Sequence, residues 1–237
     1  MTIPKIIHYC WFGGKPLPKI AIKCKRSWEM FFPGYEIKEW NEGNFDIYGN
    51  EYTKFCYEHK LWAYLSDYVR LAVVECEGGL YFDTDVEVIK YPVELLTNNR
   101  AYFGWETPEY INTGLGFAAE CHHPAVQAML VMYDGLVMGG KYVFETMQGC
   151  PQLNTAALVQ YGLKRDGSMQ RVCDSLILPM DYLCPFCDAT AELNKTDSTI
   201  SIHWFSKSPH GRMAAWKAKF ARPIRRWLGV NVCNRNK

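Results

Sequence analysis

Glu77-Gly78-Gly79-Leu80-Tyr81-Phe82-Asp83-Thr84-Asp85-Val86-Glu87-Val88 is the stretch whose reading decides the fold. The glycine pair ends a predicted helix. Leu80 to Phe82 form a short apolar strand, and two carboxylates one residue apart stand at its end. Side chains alternate along a strand, so Asp83 and Asp85 leave one face together, or fan out together where the strand stops. Three residues that favour burial run straight into two charges that resist it. Paired hard oxygen ligands at such an edge suit Mg²⁺ or Mn²⁺, which share one or two carboxylates with substrate phosphates. Open α/β sheets bind ligands beyond the carboxyl ends of their strands, so chemistry is expected here. Turns and solvated strand ends also collect aspartates, and Asp-x-Asp alone does not establish a metal.

Upstream of this stretch, residues 51–76 read as a helix in two pieces. Leu61, Leu65, Val69, Ala72, Val73 and Cys76 make one apolar stripe at three- and four-residue spacing. Asp67 and Arg70 lie off that stripe and share a face. They form either an ordinary exposed ion pair or part of a cleft with the two carboxylates. Earlier still, residues 5–10 (Lys-Ile-Ile-His-Tyr-Cys) read as a first buried strand running into Trp11-Phe12-Gly13-Gly14. The glycines there allow a tight turn and close approach of a ligand to backbone. Trp11 falls at the strand's carboxyl end, as a core residue or as a stacking platform for a flat base. A helix over 18–30 and a strand over 35–40 complete a βαβ unit, which implies a parallel sheet.

Downstream, residues 101–106 read as a strand. Residues 110–118 read as a loop feeding a strand, with small residues where a backbone must come close to something. A helix follows over 124–134, with His122 and His123 before it as surface residues. Residues 145–153 read as a Gly/Pro-punctuated loop, and Asn154 as the N-cap of a helix over 155–161. Late strands are expected over 172–179 and 199–204. The last of these ends in His203-Trp204, where the imidazole is either a structural residue or the best non-carboxylate ligand to join Asp85.

The chain's 237 residues suffice for one substantial core. A formal net charge of +1 gives no global field for nucleic acid, which is not expected as a partner. Eight Trp and fifteen Tyr favour a rigid core and stacking surfaces for rings. Met1-Thr2-Ile3-Pro4-Lys5 does not read as a signal peptide, and no apolar run approaches the roughly 18 to 20 residues of a membrane span. A cytoplasmic location with reduced cysteines is expected. The single Cys184-Pro185-Phe186-Cys187 lacks a second pair and is not taken as a zinc or redox site. Residues 211–229 are a basic, acid-free stretch with Met213, Trp216, Phe220, Ile224, Trp227 and Leu228 at helical spacing, interrupted by Pro223. This segment suits either an anionic membrane surface or a terminal helix packed on its own domain.

Three separated blocks, Ile3 to Gly14, Ser66-Asp67-Tyr68-Val69-Arg70 and Gly78 to Asp85, together resemble the family 32 glycosyltransferases, relatives of the yeast-type mannosyltransferases and the glucosylating clostridial toxins. The resemblance implies an α/β GT-A (Rossmann-like) fold with a mainly parallel central sheet over 1–210, followed by a tail over 211–237. It implies sugar transfer, with retention, from a nucleotide-sugar, UDP most of all, to a saccharide or lipid-linked acceptor, with Mn²⁺ or Mg²⁺ as cofactor. Trp11 would stack on the nucleotide base, and Phe12 and Gly13 belong with it to the nucleotide-sugar-binding residues. Asp67 and Arg70 would hold the donor sugar and its phosphates. Tyr81, Asp83 and Thr84 belong to the donor-binding block, and Asp85 would ligate the metal with Asp83. Asn112 resembles the element beside the donor sugar, and Gly149 and Pro151 resemble a Gly-Pro loop near the acceptor, here with Cys150 inserted. His203 and Trp204 resemble the block that completes the metal site. Asp83, Asp85 and Arg70 carry the catalytic expectation. The rival readings are a haloacid-dehalogenase-like phosphatase, which also bears strand-borne Asp-x-Asp, and a non-catalytic carbohydrate-binding relative.

Overall fold

The computed structural model describes residues 3–145 and 147–206. The segment 211–229, the domain boundary expected near 210, and Lys207 and Ser208 lie outside them. The chain opens with β1 (Ile6–Cys10), α1 (Lys19–Phe31) and β2 (Glu36–Trp40), and the two strands are parallel. The long helix is in two pieces, α2 (Glu51–Glu58) and α3 (Trp62–Glu77). They part where Lys60 takes a left-handed φ of +57°. Next come β3 (Gly79–Tyr81), β4 (Val86–Val88), α4 (Val93–Asn98), β5 (Ala101–Thr107), β6 (Tyr110–Ile111) and β7 (Phe117–Ala119). After α5 (Pro124–Val131), a small hairpin of β8 (Val137–Met138) and β9 (Lys141–Tyr142) leads to α6 (Cys150–Val159). The described chain finishes with β10 (Gln170–Val172), β11 (Ser175–Leu178), α7 (Met180–Leu183), β12 (Phe186–Cys187), β13 (Glu192–Leu193) and β14 (Ser201–His203).

The main sheet is eight-stranded, in the order β10-β11-β5-β7-β3-β1-β2, with β6 beside β5. Along this path β1, β2, β3, β5 and β11 share one direction, whereas β7 and β10 run against it. Period-two alternation fills both faces. Ile7, Tyr9, Leu80 and Tyr102 pack on the side of α1, whereas Cys10, Tyr81, Phe103 and Trp105 pack on the side of α3, α5 and α6. Two helical layers thus bury one sheet.

The junction of α3 and β3 is built tightly. Gly78 ends the helix at φ +64°, its N–H reaching the Val74 carbonyl at 2.9 Å. At Gly79, φ is +106° and a Cβ would lie 2.6 Å from the Ile6 carbonyl oxygen, so only glycine lets β3 pair with β1 there. His8, fully buried, donates from Nε2 to the Gly78 carbonyl at 2.8 Å and accepts the Trp40 indole N–H on Nδ1 at 3.0 Å. Burial lowers its pKa, which keeps the imidazole in the neutral form that this pairing needs.

Two local expectations are corrected. The helix expected from residue 155 begins instead at Cys150, with Gly149 as its N-cap. Pro151 suits a first helical turn, and Asn154 is inside the helix, fully buried, donating to Thr113 Oγ1 at 2.9 Å. His123 is not a surface residue: it is buried as the N-cap of α5 and accepts the Ala125 N–H at 3.3 Å. His122 is exposed as expected and pairs with Glu75 at 2.7 Å.

Candidate active site

A cavity of about 820 Å³ opens beyond the carboxyl ends of β1 and β3. Trp11, Phe12 and Gly13 enter it from the end of β1, and Asp83, Thr84 and Asp85 from the turn between β3 and β4. Asp67 and Arg70 reach it from α3, Asn112 from the loop after β6, and Gly149 and Pro151 from the start of α6. His203 arrives from β14, which pairs antiparallel with β4 and sets His203 opposite Val86.

Tyr81 and Trp204 do not line this cavity. The Tyr81 hydroxyl donates to Asp83 Oδ1 at 2.8 Å from within the core. The Trp204 indole turns away and donates to Glu87 Oε2 at 2.9 Å, while its backbone N–H holds the Asp85 carbonyl at 3.1 Å. Both residues therefore bear on the carboxylate turn from behind.

Arg70 and Asp67 are not an exposed pair. Their side chains retain 4% and 13% of their exposure, and Arg70 Nη2 lies 3.0 Å from both Asp67 Oδ1 and Asp83 Oδ1. Burial works against the Arg70 charge, but Asp83, Tyr81 and Asp67 around it hold its pKa well above the ordinary value. For Asp67 the balance goes the other way, since burial raises its pKa in spite of Arg70. Its second oxygen accepts the Cys150 N–H at 3.3 Å, which ties α3 to the first residue of α6.

Each carboxylate of the Asp-x-Asp turn has one oxygen committed to the protein. Asp83 Oδ1 receives Arg70 and Tyr81, and Asp85 Oδ2 receives the Ser206 N–H at 2.7 Å. The other oxygens face His203 Nε2, Asp85 Oδ1 at 3.2 Å and Asp83 Oδ2 at 4.0 Å. Burial alone would raise the Asp85 pKa, yet His203 and the Ser206 N–H hold it well below the usual carboxylate range. Burial likewise disfavours a charged His203, and Asp85 outweighs it, so that pKa is raised. Asp83, Asp85 and His203 offer two oxygens and one nitrogen within 4.8 Å of one another, a donor set that could hold a divalent metal ion. Gly114 makes room for it: a Cβ there would lie 2.5 Å from Asp83 Oδ2 and 3.0 Å from Arg70 Nη1.

Several wall residues escaped sequence reasoning. Lys60, Leu61, Trp62 and Tyr64 form a stretch of wall at the break between α2 and α3. For Trp62 and Tyr64 the signal was two bulky aromatics lying off the helix's apolar stripe. Trp62 lies against Gly13, where a Cβ would meet its indole at 3.0 Å, so the close approach that glycine permits there is made by Trp62. Cys150 stands at the junction of the site: its Sγ is 3.4 Å from Arg70 Nη1 and 3.1 Å from Asn112 Oδ1. Phe205 places its ring 4.1 Å from that of His203.

Comparison with known proteins agrees with this geometry. Residues 18–102 match the family model described as the glycosyltransferase sugar-binding region containing the DXD motif. Among solved structures, the chain is similar to the PaToxG glycosyltransferase, with a TM-score of 0.53 at 18% identity, covering 67% of this chain and 70% of that one. A glycosyltransferase involved in the glycosylation of the major capsid of PBCV-1 aligns with a TM-score of 0.49 at 16% identity, over 90% of this chain and 100% of that one. No curated protein sequence matches the chain. The likeness to PaToxG concerns architecture, a GT-A fold. The family match leaves the phosphatase reading without support. Running from α1 through the carboxylate turn into β5, the matched region is similar to the sugar-binding region of DXD-motif glycosyltransferases.

Proposed function

We propose that the protein transfers a sugar, with retention, from a UDP-sugar to a saccharide or lipid-linked saccharide acceptor, with Mn²⁺ held by Asp83, Asp85 and His203. The convergence of these three side chains beside Arg70 on one cavity carries the reading. An imidazole nitrogen among the ligands favours Mn²⁺ over Mg²⁺, which takes oxygen almost alone. When bound, the ion supplies Lewis-acid stabilisation of the departing diphosphate. Arg70, whose Nη2 is committed to Asp67 and Asp83, keeps its charge and the second hydrogen of Nη1 for the same phosphates or for sugar hydroxyls. Trp11 offers a face for the base, and Gly149 and Pro151 border the space for the acceptor.

Retention follows from a protein nucleophile on the far face of the sugar or from same-face attack beside the leaving diphosphate, and we favour the latter. Among the described residues, the carboxylates lining the cavity are Asp67, Asp83 and Asp85, each with an oxygen already engaged. Glu106 is bonded to Asn112 and does not line the cavity, and Glu109 and Glu145 are exposed outside it.

Calorimetric titration of UDP-sugars and GDP-mannose, with and without Mn²⁺, tests the donor site. Metal-dependent binding of one UDP-sugar is expected. Failure of every donor to bind with metal present overturns the reading in favour of a carbohydrate-binding role.

Among the described residues no helix is long and apolar enough to cross a membrane. We place the reaction at the cytoplasmic face of a bacterial membrane, in capsular polysaccharide or lipopolysaccharide synthesis, on the strength of the basic segment 211–229. Deletion of that segment should abolish pelleting with anionic liposomes, and unchanged pelleting would remove this placement.

A further inference from the structure

Asn112 is held by three partners, two of them of fixed polarity. Its Oδ1 accepts the Gly114 backbone N–H at 2.6 Å and the Cys150 S–H at 3.1 Å. Its Nδ2 donates to the Glu106 carboxylate. A backbone N–H can only donate, and a carboxylate turned toward an amide accepts, so the side chain cannot be flipped without losing these bonds. Burial pushes the Cys150 pKa well above the ordinary thiol value, which keeps its proton in place to donate. Glu106 does not line the cavity, whereas Asn112 and Cys150 do. One hydrogen on Nδ2 then remains uncommitted among the described residues, on a residue that retains 8% of its exposure at the cavity wall.

Building on the donor-site reading above, we infer that Glu106 and Cys150 are positioning residues. They set the Asn112 amide so that it meets the transferred sugar only as a hydrogen-bond donor. The sugar oxygen at that place must therefore accept, and it directs its own hydrogen elsewhere. With both acceptor positions of Oδ1 filled from the protein side, Asn112 has no second mode to offer. A sugar lacking an oxygen there leaves a buried N–H without a partner, and sites of this kind discriminate strongly against such analogues.

The test compares affinity for UDP with affinity for the tightest-binding of UDP-glucose, UDP-galactose and UDP-N-acetylglucosamine, in Mn²⁺, together with thermal stability. Asn112→Asp turns a carboxylate toward Glu106, and should lower stability and remove about tenfold of the affinity the sugar adds, with UDP binding kept. In Asn112→Asp combined with Glu106→Gln, amide and carboxylate have exchanged places. Their hydrogen bond and the melting temperature should return, but the sugar's contribution should not. A merely structural role predicts that both return, so recovery of sugar affinity in the double variant overturns the inference. An Asn112→Asp protein whose sugar contribution is unaltered overturns it equally. Cys150→Ser, which retains a donor, should keep that contribution, and Cys150→Ala should weaken it; equal behaviour of the two removes Cys150 from the set. Absence of UDP binding in the wild type overturns the donor-site reading and this inference with it, an outcome distinct from all the others.

Discussion

Alanine at position 85 is expected to abolish metal-dependent donor binding and to slow sugar transfer by roughly 10³-fold or more, the several kcal/mol that a Lewis acid contributes to a departing anionic group. The carboxylate removed has two partners, His203 at 3.2 Å and the Ser206 N–H at 2.7 Å. Without it, burial is the leading influence on His203, and the imidazole reverts toward its neutral form. Asp83 and His203 alone make a poor site, since only two ligand side chains remain and Asp83 Oδ1 is engaged by Arg70 and Tyr81. The fold should survive, because the main chain at residue 85 keeps its bond from Trp204 and β4 keeps its pairing with β14. The variant is thus expected to melt near the wild type in chelator while failing to gain stability from added Mn²⁺. Metal-dependent donor binding within about threefold of wild type would sink the assignment of Asp85 as a ligand.

Arg70→Met should cost about 3 kcal/mol of unfolding free energy by denaturant titration, the low end for stripping one partner from a buried ion pair. The low end applies because Asp83, unlike Arg70, keeps 26% of its side-chain exposure. Methionine preserves most of the volume, so the loss comes from charge: Asp67 and Asp83 face each other with nothing between them. The sign of the pH dependence follows. Burial already raises the Asp67 pKa, and without Arg70 it rises further above its unfolded value. The folded variant then holds a proton that the unfolded chain releases, so its deficit grows as pH rises and shrinks on acidification. Adding Asp67→Asn should recover part of the deficit at neutral pH. A loss below about 1 kcal/mol, the range of exposed pairs, would contradict the buried triad.

The sequence disclosed the frame of this molecule because its signals were local. The glycine pair, the apolar triplet and the aspartates follow in order, and the β1–α1–β2 unit and the break in the second helix are visible in apolar spacing. Twelve of the expected site residues meet in one cavity, from Trp11 near the start to His203 near the end. What was hidden depends on partners remote in the chain. Arg70 looks solvent-exposed on its own helix and is buried only because β3 delivers Asp83 and Tyr81 beside it. His123 and Asn154 look like surface or capping residues, yet both are buried, His123 against the Asp174 carbonyl at 3.3 Å and Asn154 against Thr113 at 2.9 Å. Nor does strand composition carry direction: Phe117–Ala119 reads as a strand, but nothing in three small and aromatic residues says that β7 lies antiparallel between β3 and β5. Trp62 shows the converse, a residue whose size was plain and whose place against Gly13 was not.

The pairing of β14 with β4 has a consequence for how this enzyme is made. Ser201 meets Val88 and His203 meets Val86, so the imidazole joins carboxylates that left the ribosome more than a hundred residues earlier. Translation proceeds at about 5–20 residues per second and domains tend to fold from the N-terminus. The nascent chain therefore carries the two carboxylates for several seconds before the imidazole emerges. An ion held by all three side chains would therefore be captured only after β14 has paired with β4.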